Sequence, residues 1–95
     1  MRKYEIMLIL PAETDDKLIG SVTDRISQVL SQGGGQVEKV DRWGKRRFTY
    51  EIARQSEGFY LIVECQADPA VMKELDRVLS LVDEVIRFKV VARAA

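Results

Sequence analysis

Residues able to do chemistry concentrate in one stretch, Arg42 to Ala53, which reads RWGKRRFTYEIA. Four basic side chains (Arg42, Lys45, Arg46, Arg47) surround Trp43 and Gly44 and run into an alternating ladder of Phe48, Tyr50 and Ile52. Cations beside aromatics suit a phosphate backbone with accessible bases, the cations taking phosphate oxygens and the rings taking unstacked bases. The alternation puts the three apolar residues on one face of a β-strand. Gly44 predicts a bulge or kink inside the basic run. The competing reading is a solvated strand surface on which Arg42 and Arg47 only keep the face soluble.

Little else in the chain could support a reaction. No histidine occurs among the 95 residues, which removes imidazole bases, serine triads and most zinc sites. A carboxylate pair could still serve as acid and base, but none lies on an apolar strand end where burial would raise a pKa. Glu13, Asp15 and Asp16 cluster around Thr14, a candidate helix N-cap, and read as capping and dipole compensation; no other ligand type accompanies them. Gly33, Gly34 and Gly35 follow a helical pattern instead of opening one, and no Lys-Ser/Thr pair comes next, which argues against a nucleotide loop. Cys65, in an apolar strand, reads as a small core residue, and a single cysteine excludes an internal disulfide. The expectation is a non-enzyme without cofactor, metal or small-molecule substrate.

Six elements must position the basic segment. Residues 2–10 alternate, with Tyr4, Ile6, Leu8 and Leu10 on one face of a first strand that Pro11 ends. Leu18, Ile19, Val22, Ile26, Val29 and Leu30 recur at helical spacing, and Gly33 is the expected left-handed stop. A long second strand runs from Gln36 to about Ile52. Val37 and Val40 differ in parity, so burying both requires an irregularity. Ala53 to Gly58 reads as a polar turn, making strands two and three a hairpin. The third strand, Phe59 to Cys65, is apolar on both faces, with Phe59, Leu61 and Val63 on one and Tyr60 and Ile62 on the other. Asp68-Pro69 opens a second helix carrying Val71, Met72, Leu75, Val78, Leu79 and Val82. A last strand from Val85 to about Ala92 turns Ile86, Phe88 and Val90 inward and Arg87, Lys89, Val91 and Arg93 outward. The order βαββαβ, with right-handed crossovers, predicts an α+β ferredoxin-like split fold over a single domain, residues 1–95. Its four-stranded antiparallel sheet carries both helices on one face and leaves the other free.

The formal net charge is zero, but its distribution is uneven. Residues 39–54 carry a net +4, Arg2 and Lys3 add two, and Arg87, Lys89 and Arg93 add three, so the rest of the chain sums to −9. If these three segments are neighbours, the molecule has a positive side and a negative side. No apolar run approaches the roughly 20 residues that span a bilayer, and no leader pattern precedes the first strand. A cytoplasmic location is expected.

The run from Gly44 to Ala53 carries a more specific signal. It resembles the signature of the bacterial small-subunit ribosomal protein six family: a glycine, two positions later a basic or polar pair, then an apolar residue, a small residue, tyrosine, any residue and isoleucine. Those positions are Gly44, Arg46, Arg47, Phe48, Thr49, Tyr50, Glu51 and Ile52. Phe48 stands where the family usually has leucine, and Thr49 where it has serine or alanine; both suit a strand. Arg2, Tyr4 and Glu5 in the opening MRKYEIMLIL, and Gln36 to Val40, are also similar to that family. The resemblance implies a structural component of the small ribosomal subunit. It further implies binding to the central domain of small-subunit ribosomal RNA together with ribosomal small-subunit protein eighteen. Arg2, Lys3, Arg42, Lys45, Arg46, Arg47, Arg87, Lys89 and Arg93 are the expected RNA-binding residues, and Trp43, Tyr60 and Ile62 the expected contacts to the protein partner. Two alternatives remain at this level. An RNA-recognition motif has the same element order but needs basic-Gly-aromatic-small-aromatic on its third strand, whereas this chain has Glu57-Gly58-Phe59-Tyr60-Leu61. The other is a protein-interaction domain with no RNA contact.

Overall fold

The alternation in RKYEIMLILP builds β1 (Arg2–Pro11), one of two central strands on which the other elements assemble. The structure, a computed structural model, describes residues 1–52 and 55–93, and side chains for 1–48 and 56–93. After β1 come α1 (Asp16–Gln32), β2 (Gln36–Ile52), β3 (Gln55–Ala67), α2 (Pro69–Ser80) and β4 (Arg87–Ala92). The sheet order is β2-β3-β1-β4, every neighbouring pair antiparallel. This is the ferredoxin-like split arrangement expected from the element order.

Tyr4, Ile6, Leu8 and Leu10 of β1 and Leu61, Val63, Cys65 and Ala67 of β3 form the floor of the core. Ile19, Val22, Ile26 and Leu30 of α1, with Met72, Leu75 and Leu79 of α2, cover it at the spacing of one helical face. Both valines of β2, Val37 and Val40, pack against this core, and a register shift between Val37 and Lys39 supplies the irregularity their parity demands.

Several local expectations are corrected. The N-cap of α1 is Asp15, whose carboxylate accepts from the Leu18 N–H at 2.9 Å, while the Thr14 hydroxyl turns back to the Pro11 carbonyl. Gly33 ends α1 at φ −103°, and the left-handed residue is Gly34 at φ 80°. β3 begins at Gln55, because Glu57 and Gly58 pair with Arg47 and Arg46 and extend the hairpin. β4 begins at Arg87, Ile86 contributing a single N–H to the Ile9 carbonyl at 2.8 Å. The expected ladder at Tyr50 and Ile52, and residues 53 and 54 of the expected turn, lie outside the described side chains or residues.

Cys65 is buried in the core as its context predicts. Burial, and secondarily the charge of Glu38, pushes its thiol up to about 11. The fold therefore holds this proton more tightly than the unfolded chain does. The resulting stability is fully present below the ordinary thiol value of 9.0 and is lost as pH rises through about 11. Across that window wild type should lose more of its urea resistance than Cys65→Ala; parallel curves would contradict the assignment.

Candidate nucleic-acid interface

The bulge at Gly44 decides where the basic cluster points. In an unbroken strand Arg42, Gly44 and Arg46 would share a face. A register shift between Arg42 and Gly44, with Gly44 at φ 87°, breaks that parity. Arg42 lies opposite Leu61 and Lys45 opposite Phe59, both on the helix-bearing side, whereas Gly44 and Arg46 lie opposite Tyr60 and Gly58 on the open side.

On the helix side the cations meet the acidic start of α1. Arg42 Nη1 lies 2.5 Å from Asp16 Oδ1, and Lys45 Nζ 3.0 Å from Glu13 Oε1. The hydrogen bond and charge of Glu13 raise the Lys45 pKa, with Glu57 at 4.0 Å adding to the effect. Arg47 reaches the same Glu57 at 4.0 Å. These pairs are exposed and add little to stability, but they already neutralise Arg42 and Lys45. Glu13 and Asp16 thus have a role beyond the helix dipole, one that local sequence context could not show.

The open face is organised in rows that cross all four strands. Gly44, Tyr60, Ile9 and Arg87 form one row, and Asp41, Ile62, Met7 and Lys89 the next. Beyond Tyr60, Phe48 packs against it with ring centroids 6.2 Å apart at 55°. The Arg46 guanidinium lies over the Trp43 ring at 5.2 Å. Met7, Ile9, Tyr60, Arg87 and Lys89 line an open groove with part of Phe88. This half of the face is an apolar floor with Arg46 at one edge and Arg87 and Lys89 at the other.

The other half is ionic. Lys39, Glu64, Glu5 and Val91 form its first row. Arg93 pairs with Glu64 and stands 4.0 Å from Glu5. Lys3 lies across from Gln66 on this face, while Arg2, one residue earlier, has the opposite parity. The expected single positive side is therefore corrected: β2 and β4 carry their cations on opposite edges of the sheet, Arg2 and Lys3 adjoin Arg93 at one end, and several of these cations are paired with carboxylates.

The expected protein-facing residues also separate. Tyr60 is half-buried and accessible, Trp43 is 47% exposed, and Ile62 is only 4% exposed. Ile62 sits on a central strand, with Met7 and Asp41 beside it in register, so it supports the floor more than it presents surface. Met7 and Ile9 were missed as open-face residues, although the unbroken apolar run Ile6 to Leu10 carried the signal of a strand buried on both faces. Among the described residues no three His, Cys, Asp or Glu side chains gather as a metal site would require. No described helix is long and apolar enough to cross a membrane.

An antiparallel sheet backed by helices on one face, with a cation-edged apolar half on the other, defines a ferredoxin-like α+β domain. Comparison with known proteins narrows the class. The family profile described as Ribosomal protein S6 matches residues 3–92. Small ribosomal subunit protein bS6 of Mycobacterium tuberculosis is 48% identical over 90 residues, 95% of this chain and 94% of that protein. The Streptomyces coelicolor bS6 protein is 46% identical with the same coverage. The crystal structure of 30S ribosomal protein S6 from Thermotoga maritima superposes with a TM-score of 0.84 at 28% identity, covering 97% of this chain and 87% of that one. The chain belongs to the ribosomal protein S6 family and is a ribosomal structural protein.

Proposed function

We propose that this protein is a component of the small ribosomal subunit in the bacterial cytoplasm that binds the central domain of small-subunit ribosomal RNA together with ribosomal small-subunit protein eighteen. The observation that carries this reading is the divided open face. Its apolar floor of Met7, Ile9 and Tyr60 suits a protein surface, and Arg46, Arg87 and Lys89 at its edges suit phosphates. An independent RNA-recognition module would need a second aromatic on the open face of β3, where Ile62 and Glu64 follow Tyr60. With only Arg46, Arg87 and Lys89 edging the apolar half of the face, the isolated protein should hold RNA weakly.

The test is binding to a central-domain RNA fragment, with and without protein eighteen, at two salt concentrations. Joint assembly requires tight, salt-sensitive binding only when the partner is present. Equal affinity without the partner points to an independent RNA module, and no binding in either case points to an interaction domain without RNA contact.

A further inference from the structure

We propose that Trp43 and Arg46 form a binding site for one unpaired RNA base, which stacks on the indole while the guanidinium edge takes a neighbouring phosphate. The inference rests on the RNA-binding reading above and specifies a ligand within it. The sequence leaves Trp43 open between a base, a partner side chain and a half-buried hairpin position.

Trp43 is the single tryptophan of the chain, and its 47% exposure leaves a large π-surface in solvent. The other large hydrophobic side chains exposed among the described residues, Met1, Leu81 and Val91, are aliphatic and offer no such surface. The ring stands at the bulge of the edge strand β2, beside Gly44, where a built Cβ would meet nothing within 4 Å. The Arg46 guanidinium carbon stands 5.2 Å from the ring centroid, within cation–π range. Among the described residues no carboxylate pairs with Arg46, so its N–H donors are open to phosphate oxygens. Ring and cation together are the two components of single-strand recognition: a sequence-tolerant stacking surface and a positive group tracking the backbone. A protein contact would be expected to draw on the apolar groove around Ile9 and Tyr60, which Trp43 does not line; its ring stands instead with Arg46.

Tryptophan fluorescence of the isolated wild-type protein reads Trp43 directly. Titration with a short single-stranded RNA at low salt should quench it, and a duplex of the same sequence should not. In joint assembly on the ribosomal RNA fragment, Trp43→Ala should lose roughly 5- to 150-fold in RNA affinity, the range for one stacked base. Trp43→Phe should restore most of that loss, because phenylalanine retains a stacking face. Arg46→Lys should keep the salt dependence but lose affinity, since an ammonium supplies charge without a plane. Equal quenching by duplex and single strand would overturn the proposal in favour of phosphate contact alone. So would a Trp43→Ala loss confined to affinity for protein eighteen. Wild-type assembly with a silent Trp43 defeats only the stacking site, whereas failure of wild type to assemble on RNA at all defeats both readings.

Discussion

Replacing Arg46, Arg87 and Lys89 together with Ala is expected to weaken joint assembly on the RNA fragment by roughly 100-fold, taking about 1 kcal/mol for each exposed charged contact. The slope of log affinity against log salt should flatten by about 2 to 3 units, because each lost phosphate contact releases about one fewer counterion. These three side chains edge the apolar half of the open face, at the ends of rows running through Tyr60, Ile9, Ile62 and Met7 or next to them. No carboxylate partner is seen for them among the described residues. The informative control is Arg42→Ala with Lys45→Ala. It removes two cations against three in the first variant, yet Asp16 and Glu13 already stand beside both of them on the helix side. Its RNA affinity should fall by less than about threefold, since little free charge is removed. Filter binding over a salt series distinguishes the variants. Equal losses in both would show that RNA phosphates displace the carboxylates and that the helix side belongs to the interface.

The second large effect is on stability. Leu8→Ala should lower the unfolding free energy by about 3 to 4 kcal/mol, within the range for truncating a buried leucine. Leu8 is at the middle of β1, fully buried, with Leu61 and Phe88 facing it in register on the two neighbouring strands. Tyr4, Ile6 and Leu10 share its face, and the apolar stripes of both helices close over them. The hydrogen-bonded strands on either side keep the backbone from moving in to fill the lost volume, so a cavity penalty adds to the transfer term. Urea unfolding with an unchanged m-value would measure this directly. A loss below about 1 kcal/mol would mean that the core collapses around the site. A domain of this size has roughly 5 to 10 kcal/mol in total. RNA assembly by the variant should therefore persist at low temperature and fail on mild heating, unlike the cation triple variant, which stays folded.

Glu57 illustrates how local reading and tertiary placement diverge. From its neighbours it belonged to a polar turn, but the hairpin extends through it, and it stands opposite Arg47 within reach of Lys45. The misreading has a plain cause. Strand ends set by pairing with a distant segment leave no local signature when the residues are polar, whereas helix ends carry caps and glycines within a few positions. Even so, the cap is Asp15 and not the adjacent Thr14, and the left-handed glycine is Gly34 and not the adjacent Gly33, because neighbouring residues suited to the same role compete for it.

The sequence by itself determined the element order, the faces of both helices, the even-numbered core residues of β1, the need for irregularities in β2 and the family. Each follows from local periodicity, from residue types with few conformational options, or from a contiguous motif. The tertiary structure alone decided which cations share a surface. The bulge at Gly44 resets the parity of the basic run from Gly44 to Arg47. The carboxylates that claim Arg42 and Lys45 lie 26 and 32 positions away along the chain. Only the sheet register sets Ile62 beside Met7, and only the bulge leaves Trp43 in solvent under Arg46. Charge can be counted along a chain, but which charges remain free depends on what folding brings beside them.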